Sequence, residues 1–227
     1  MDCPKCAGEK KVKSGVIKGR QRYRCKECGC NYTVEIKSTG KPLSMKRQAL
    51  QLYLEGLGFR SIGRFLNVSH VSVYEWIKSF GLNGKSLQLQ EKNIEIVEID
   101  EMHSYIGQKK YCWIWIAVDR LGKRFINFVI GDRSSKTGKK LWEKIKEFKM
   151  SKIATDHWSP YDNFVPEENH VRSKAETFTV EGYNSIFRHF LARMRRKSKC
   201  YSKSMEMLEL SFLLLMKYRN NTLSIFS

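Results

Sequence analysis

The stretch Asn93–Tyr105, NIEIVEIDEMHSY, alternates β-branched residues with acids and closes on Asp100 and Glu101. The alternation predicts a strand that carries a carboxylate out into a cleft. A buried, unpaired carboxylate loses its hydration without compensation, so an acid inside such a strand needs a reason. A divalent cation supplies one, because magnesium and manganese prefer the hard oxygens of Asp and Glu. The plainer alternative is that Glu98, Asp100 and Glu101 mark a solvated strand end. The rest of the chain decides between the two.

Tyr111–Asp119, YCWIWIAVD, is a second β-prone run, and Asp119-Arg120-Leu121-Gly122 turns it into a third, Phe125–Ile130. Turns this short make the three runs antiparallel neighbours. Ser134–Phe148 has helical spacing through Leu141, Trp142, Ile145 and Phe148, and Met150–Thr155 is a fourth strand ending at Asp156-His157-Trp158. Val171–Thr179 is read as a fifth short strand, and a long basic helix starts near Val180. The order βββαβ, then β, then α is that of an RNase H-like α/β domain, a mixed five-stranded sheet flanked by helices.

In that layout the middle of the first strand lies beside the end of the fourth, so Asp100 meets Asp156. Glu181, in the first turn of the next helix, faces them, with Asn184, Ser185 and Arg188 on the same helical face. Three clustered carboxylates repel one another unless protons or cations intervene. Two bridging magnesium or manganese ions would neutralise them and activate a water or a 3′-hydroxyl for in-line attack on a phosphodiester. Each acid also has a plainer role, Asp156 capping the turn before Ser159-Pro160 and Glu181 complementing a helix N-terminus. Asp119 is a fourth candidate, for which a hairpin-turn role competes. Asp132 reads as a turn or helix-cap acid. His103 and His157 lie near the expected cleft, where they would contact phosphate or orient water, against the commoner structural role of a lone histidine.

Upstream, Cys3-Pro4-Lys5-Cys6 and Cys25-Lys26-Glu27-Cys28 are two CxxC knuckles separated by the 18 residues Ala7–Arg24. That spacing suits four thiolates around one structural zinc, and Val12, Val16, Ile17 and Tyr23 around Gly15 and Gly19 suggest the hairpin of a zinc ribbon, residues 1–37. Cys30 is a competing ligand outside the two-residue gaps. A thioredoxin-like redox pair would need one CxxC in a βαβ context, which is absent. The hairpin's Lys18, Arg20 and Arg22 are candidate phosphate contacts. Ser38–Pro42 is turn-rich. Beyond it, Ser44–Glu55, Phe59–Leu66 and Ser69–Phe80 read as three helices with Ala49, Leu50, Tyr53, Leu54, Ile62, Phe65, Val73, Trp76 and Ile77 inward. Helix, short helix, tight turn and helix over residues 38–82 is a helix-turn-helix pattern, with His70, Ser72 and Tyr74 placed to touch DNA. An ordinary three-helix bundle is the alternative. Residues 83–92 form a linker to the domain 93–227.

The chain carries 42 Lys+Arg against 23 Asp+Glu, a net charge of +19, which attracts polyanions and nucleic acid first among them. No segment has the apolar length to span a bilayer, and the N-terminus lacks the apolar core of a signal peptide. The expectation is a cytoplasmic protein whose seven cysteines are ligands or free thiols. Arg188, Arg193, Arg195, Arg196, Lys197, Lys199 and Lys203 form a cationic run beyond Glu181, read as holding a DNA strand. Met205–Tyr218 reads as a core helix with Leu208, Phe212, Leu213 and Leu215 buried, or alternatively as a dimer contact.

IDEMHSYIG, WIWIAVDR, VIGDRSSKTGKKLW, TDHW and VEGYN through RMRRKSKCYSKS resemble the insertion-sequence-one family of bacterial DDE transposases, and the CPKC…CKEC and helix-turn-helix regions resemble that family's DNA-binding part. The resemblance covers nearly the whole chain. It implies that the family's catalytic triad falls on Asp100, Asp156 and Glu181, with the 24 residues His157–Val180 between the last two. It also implies binding of terminal inverted repeats and target DNA as duplex, cleavage at element ends, transfer of 3′-hydroxyl strands, and a homodimer or higher oligomer. Two departures stand out. Relatives often split these regions between two reading frames, and many carry Trp where His103 stands. Two rival functions share the same pattern: a DNA-binding regulator with a decayed catalytic domain, and a structure-selective nuclease or resolvase.

Overall fold

The long strand β4 (Asn93–Ile106) organises the larger of two compact units, residues 43–227; the smaller spans residues 1–42. The computed structural model describes residues 2–33, 40–84, 93–107, 110–195 and 200–223. Ser38, Thr39, the linker beyond Gly84, and Arg196, Lys197 and Lys199 lie outside the described residues.

In the smaller unit, β1 (Lys11–Ile17), β2 (Arg20–Cys25) and β3 (Asn31–Thr33) form an antiparallel sheet. Ile17 pairs with Arg20, so Lys18 and Gly19 are a two-residue loop, both at positive φ (50° and 76°). That backbone matches the right-handed twist of the two strands, which is why a glycine stands there.

In the larger unit, α1 (Leu43–Leu54), α2 (Phe59–Leu66) and α3 (His70–Asn83) precede β4. Ser69 caps α3, its hydroxyl accepting the Ser72 N–H at 3.0 Å. Helix α1 begins at Leu43, so Ser44 sits inside its first turn. Phe65, expected inward, is 65% exposed. The inward positions of α2 are Ile62 and Gly63, and a Cβ at Gly63 would lie 2.8 Å from the Val68 carbonyl oxygen. The α2–α3 turn therefore closes directly against that glycine.

After β4 come β5 (Lys110–Asp119), β6 (Arg124–Gly131), α4 (Ser135–Ile145) and β7 (Lys149–Thr155). Then follow β8 (His170–Arg172), α5 (Phe178–Phe190) and α6 (Met205–Arg219). The sheet order is β6-β5-β4-β7-β8, antiparallel through β4 and parallel from β4 to β8. The fifth strand is only three residues long, because a 3₁₀ turn at Lys174–Glu176 ends the run expected to reach Thr179. The basic helix starts at Phe178 and stops at Phe190.

Strand alternation sends the two faces of the sheet to two cores. Ile99, Trp115 and Ala117 pack with Leu141 and Ile145 of α4 and with Tyr161. Met102, Ile114, Ile116 and Val118 pack with Phe187 of α5 and Phe212 of α6, and this core continues into Leu50, Tyr53 and Ile77 of α1 and α3. The three N-terminal helices thus share one apolar core with the sheet. Helix α6 is buried nearly all round, from Met207 to Met216, so it serves as core and presents no broad apolar face of its own. No helix among the described residues is long and apolar enough to cross a membrane.

Arg193 sits inside this core rather than on a surface facing DNA. It is 7% exposed, donates to the Tyr53 hydroxyl at 2.8 Å and to Ser202 Oγ at 2.9 Å, and stacks over Phe59. Tyr53 also hydrogen-bonds Ser211 of α6 at 2.6 Å. A buried guanidinium must find such partners, and here they tie α1 to α6.

Helix α3 comes tightly against α6 at Gly81, where a Cβ would lie 2.8 Å from Leu210 Cβ. Gly81→Val should cost about 1–3 kcal/mol by overpacking and lower the thermal midpoint. Adding Leu210→Ala should recover part of that loss. Strict additivity of the two changes in thermal melts would contradict this docking.

Candidate functional site: a carboxylate cluster and a four-cysteine centre

Residues Glu98 and Ala154 are paired in the parallel β4–β7 ladder. Continuing that register by two residues points Asp100 toward Asp156, one residue past the end of β7, whose charge acts on the Asp100 carboxyl. The third acid comes from α5. Thr177, its N-cap residue, offers no side-chain cap and instead donates to the Lys174 carbonyl. The Val180 N–H in the first turn is met by Oε2 of Glu98, at 2.8 Å. A carboxylate at a helix N-terminus satisfies an orphan donor and the positive end of the helix dipole. Glu98 is fully buried, and its other oxygen accepts from Arg120 Nε. Arg120 in turn holds Glu176 at 2.8 Å, and Glu176 also takes Lys152 of β7 at 3.0 Å. This chain of charges fixes α5 against β4, two residues from Asp100.

One turn after Glu181, the buried Asn184 donates through Nδ2 to Asp100 Oδ2 at 2.6 Å, while its Oδ1 has no hydrogen-bond partner. Burial pushes the Asp100 carboxyl from its ordinary 3.8 up to about 7, and the nearby charges of Glu101, Asp156 and Glu181 push in the same direction. Asp156 and Glu181 thus lie close enough for their charges to act on Asp100. Asp156 is half-buried and accepts the Trp158 N–H at 3.0 Å, and Glu181 is exposed. Among the described residues only the four cysteines bring their ligand atoms all within 4.8 Å of one another, so the oxygens of the three acids are not all that close together.

The remaining acids have structural partners. Glu101 points to the other face, where Arg133 grips Oε1 through Nε (2.9 Å) and Nη2 (2.8 Å) and the buried Tyr161 donates to Oε2. Arg133 is itself sandwiched between Trp113 and Trp158, 4.6 and 4.4 Å from the ring centroids. Asp119 accepts the Gly122 N–H at 2.9 Å and Arg124 Nε at 3.0 Å, which gives it the turn role. Asp132 accepts from Ser134 and Thr137 at the start of α4. His157 is exposed; His103 is exposed on the face of β4 opposite Asp100, among Tyr105, Tyr111 and Trp113. Glu98 and Asn184 thus hold Asp100 and α5 together. Asn184 is readable from helical spacing, but Glu98's role is not, since Val180 lies 82 residues away.

Of the expected DNA contacts, Lys18, His70, Arg195 and Lys203 are exposed, and Arg20, Arg22, Ser72, Tyr74 and Arg188 are partly so. Tyr74 packs edge-on against Phe59.

In the smaller unit, Sγ of Cys3 lies 3.5 Å from Cys28, and Sγ of Cys6 lies 3.7 Å from Cys25. Tetrahedral zinc with Zn–S bonds of about 2.3 Å sets its sulfurs roughly 3.8 Å apart, so the four thiols fit that ion. Burial opposes ionisation of Cys3, but the backbone N–H groups of Lys5 and Cys6 together with the thiols of Cys28 and Cys6 bring it down to about 6. Such amides support a thiolate ligand. Cys30 stays outside the cluster, its Sγ 3.8 Å from the Asn31 carbonyl.

The raised Asp100 carboxyl makes stability depend on pH. Between its ordinary 3.8 and about 7 the folded chain holds a proton that the unfolded chain has lost, so this group's contribution to stability falls as pH rises across that window. With no divalent cation added, Asp100→Asn should match the wild type near pH 4 and exceed it by about 2 kcal/mol, discounted for solvent screening, above pH 7. Parallel stability curves for the two proteins would refute the shift.

Comparison with known proteins locates the same region. Residues 93–219 match the IS1 transposase family. The InsB protein of insertion element IS1 4 from Escherichia coli (strain K12) is 36% identical over 115 residues, 50% of this chain and 69% of that protein. The InsB proteins of IS1 from Shigella flexneri and of iso-IS1n from Shigella dysenteriae are 34% and 30% identical, each match covering 50% of this chain and 88% of the relative. A chain in the simian T-cell lymphotropic virus intasome in complex with PP2A regulatory subunit B56 gamma is similar at TM-score 0.39 and 14% identity, over 75% of this chain and 66% of that one. That last likeness is too distant to bear on function. Matched along more than half of its length, and over two thirds or more of these InsB relatives, the chain belongs to the IS1 transposase family.

Proposed function

We propose that this transposase cuts and joins DNA by phosphoryl transfer at Asp100, Asp156 and Glu181, and that residues 1–37 and 38–82, as a zinc ribbon and a helix-turn-helix, recognise the element's terminal inverted repeats. The observation that carries it is Asp100 itself, set beside Asp156 by the β4–β7 register and bonded to Asn184 of the helix that bears Glu181. An RNase H-like domain at 93–227 is the natural reading of the sheet order and of the family match.

Three carboxylates and the unpartnered amide oxygen of Asn184 form an all-oxygen donor set with an excess of negative charge, which suits magnesium or manganese. Asp100, Asp156 and Glu181 would hold two such ions. When bound they supply Lewis-acid polarisation of the phosphate and activation of the attacking hydroxyl. The chain's own part is orientation. Asn184 fixes the Asp100 carboxylate, the Trp158 N–H fixes Asp156, and Glu98 anchors the first turn of α5. Arg188, Arg195 and Lys203, with Arg196, Lys197 and Lys199, supply cations for a DNA strand. The two steps are hydrolysis that frees a 3′-hydroxyl at the element end and attack by that hydroxyl on target DNA, within a dimer or larger assembly that brings two ends together.

Magnesium-dependent cleavage and strand transfer on the element's own end DNA should fall at least about a thousandfold in Asp100→Ala and Glu181→Gln, while end binding persists. Joined products from Asp100→Ala would overturn the assignment. Cleavage of branched DNA without joining would mark a resolvase instead.

The four-cysteine centre should carry one zinc per chain. Cys25→Ser should abolish stoichiometric zinc by atomic absorption and weaken binding to end DNA. Retention of full zinc content in that variant would contradict the ligand set.

A further inference from the structure

Beyond the acids, the β4–β5 ribbon bears an array of rings that the cleavage chemistry does not use. His103 pairs directly with Trp113, and Tyr105 with Tyr111, across the antiparallel ladder. Directly opposed residues project from the same face of a sheet, so the four rings form a two-by-two patch, with centroids 4.7–6.2 Å apart. His103 is exposed and Tyr111 is 62% exposed, while Tyr105 and Trp113 are partly so. The patch is also held in place. The Tyr105 hydroxyl donates to the Tyr111 hydroxyl at 3.1 Å, and Tyr201 packs against Tyr105 with centroids 5.0 Å apart.

We propose that this patch is a stacking platform for unpaired nucleobases of a DNA strand. Rings held in place lose little freedom on binding, and exposed aromatic faces in a cationic setting bind single strands with little regard to sequence. The setting is cationic. Lys110 flanks Tyr111 in sequence, Lys203 follows Tyr201, and the whole chain carries +19. A second copy of this chain would bring the same positive charge against the patch, whereas a nucleic-acid strand brings the complementary one. The platform lies on the sheet face opposite Asp100, and a relay of side chains links it to Asp156. Arg133 bridges Trp113 to Trp158, and the Trp158 N–H holds Asp156. A base drawn out of the duplex would stack on this opposite face, linked to Asp156 through Arg133 and Trp158, at the moderate unstacking cost that such extrusion carries.

The inference rests on DNA being the substrate but not on the acids being catalytic, so binding alone tests it. Zinc-loaded full-length protein, with no other divalent cation added, is titrated with a single-stranded oligonucleotide containing 2-aminopurine and with a duplex of the same length. Tyr111→Ala and His103→Ala, at exposed positions that leave the circular-dichroism spectrum unchanged, should each weaken single-strand binding about tenfold. Both should reduce the 2-aminopurine fluorescence change and leave duplex affinity intact, and Tyr111→Trp should retain the wild-type response. Equal losses on single and double strands, or no loss on either, would overturn the platform while leaving the transposase reading standing. A wild-type protein that bound neither DNA would sink both. Unchanged DNA binding with loss of self-association in Tyr111→Ala would assign the patch to a protein interface instead.

Discussion

The carboxylate of Glu98 is the tie on which the arrangement depends. It sits fully buried in the central strand with one oxygen on the Val180 N–H and the other on Arg120. An ionised group there is tolerable only because both oxygens are satisfied, and removing either partner would leave a buried charge uncompensated. By capping a helix whose own N-cap residue makes no cap, it converts a sequence separation of 82 residues into a fixed contact. Asp100, on the same strand face two residues on, and Glu181, one residue past Val180, inherit their relation from that contact.

The same face of the strand shows how stability and chemistry oppose one another. Met102 continues the row inward to the apolar core, while Asp100 sits at the rim, where burial and three neighbouring carboxylates hold its proton far above the ordinary carboxylate range. Concentrated negative charge of this kind weakens the cation-free fold and suits a site that takes up cations. The opposite face handles its acid differently, neutralising Glu101 with a bidentate arginine and a tyrosine. Neighbouring residues on one strand thus end as a poised carboxyl and a quenched one.

Much of this was legible because it is local. Period-two runs and short turns lay out β4 to β7, and the parallel register then follows from the helix that joins β6 to β7. Helical spacing links Glu181 to Asn184, and two CxxC pairs name the sulfurs that meet in the smaller unit. What could not be read depends on distant partners. Arg193 looks like one more cation in a basic run, but Tyr53, 140 residues earlier, draws it into the core. Phe65 looks like a core residue, but the tight approach at Gly63 turns α2 so that it faces out. His103 appears to share the cleft with Asp100, yet strand alternation sends it to the opposite face, and the fifth strand ends early at a 3₁₀ turn.

The proposed chemistry needs Asp100 of β4, Asp156 at the end of β7 and Glu181 of α5 to share one cation site. Manganese binding followed by electron paramagnetic resonance, on zinc-loaded protein and on Asp100→Asn, Asp156→Asn and Glu181→Gln, addresses it without requiring turnover. Shared coordination predicts that each substitution weakens the same bound population by at least about tenfold. Manganese binding left unchanged by all three, or altered by one alone, would contradict it.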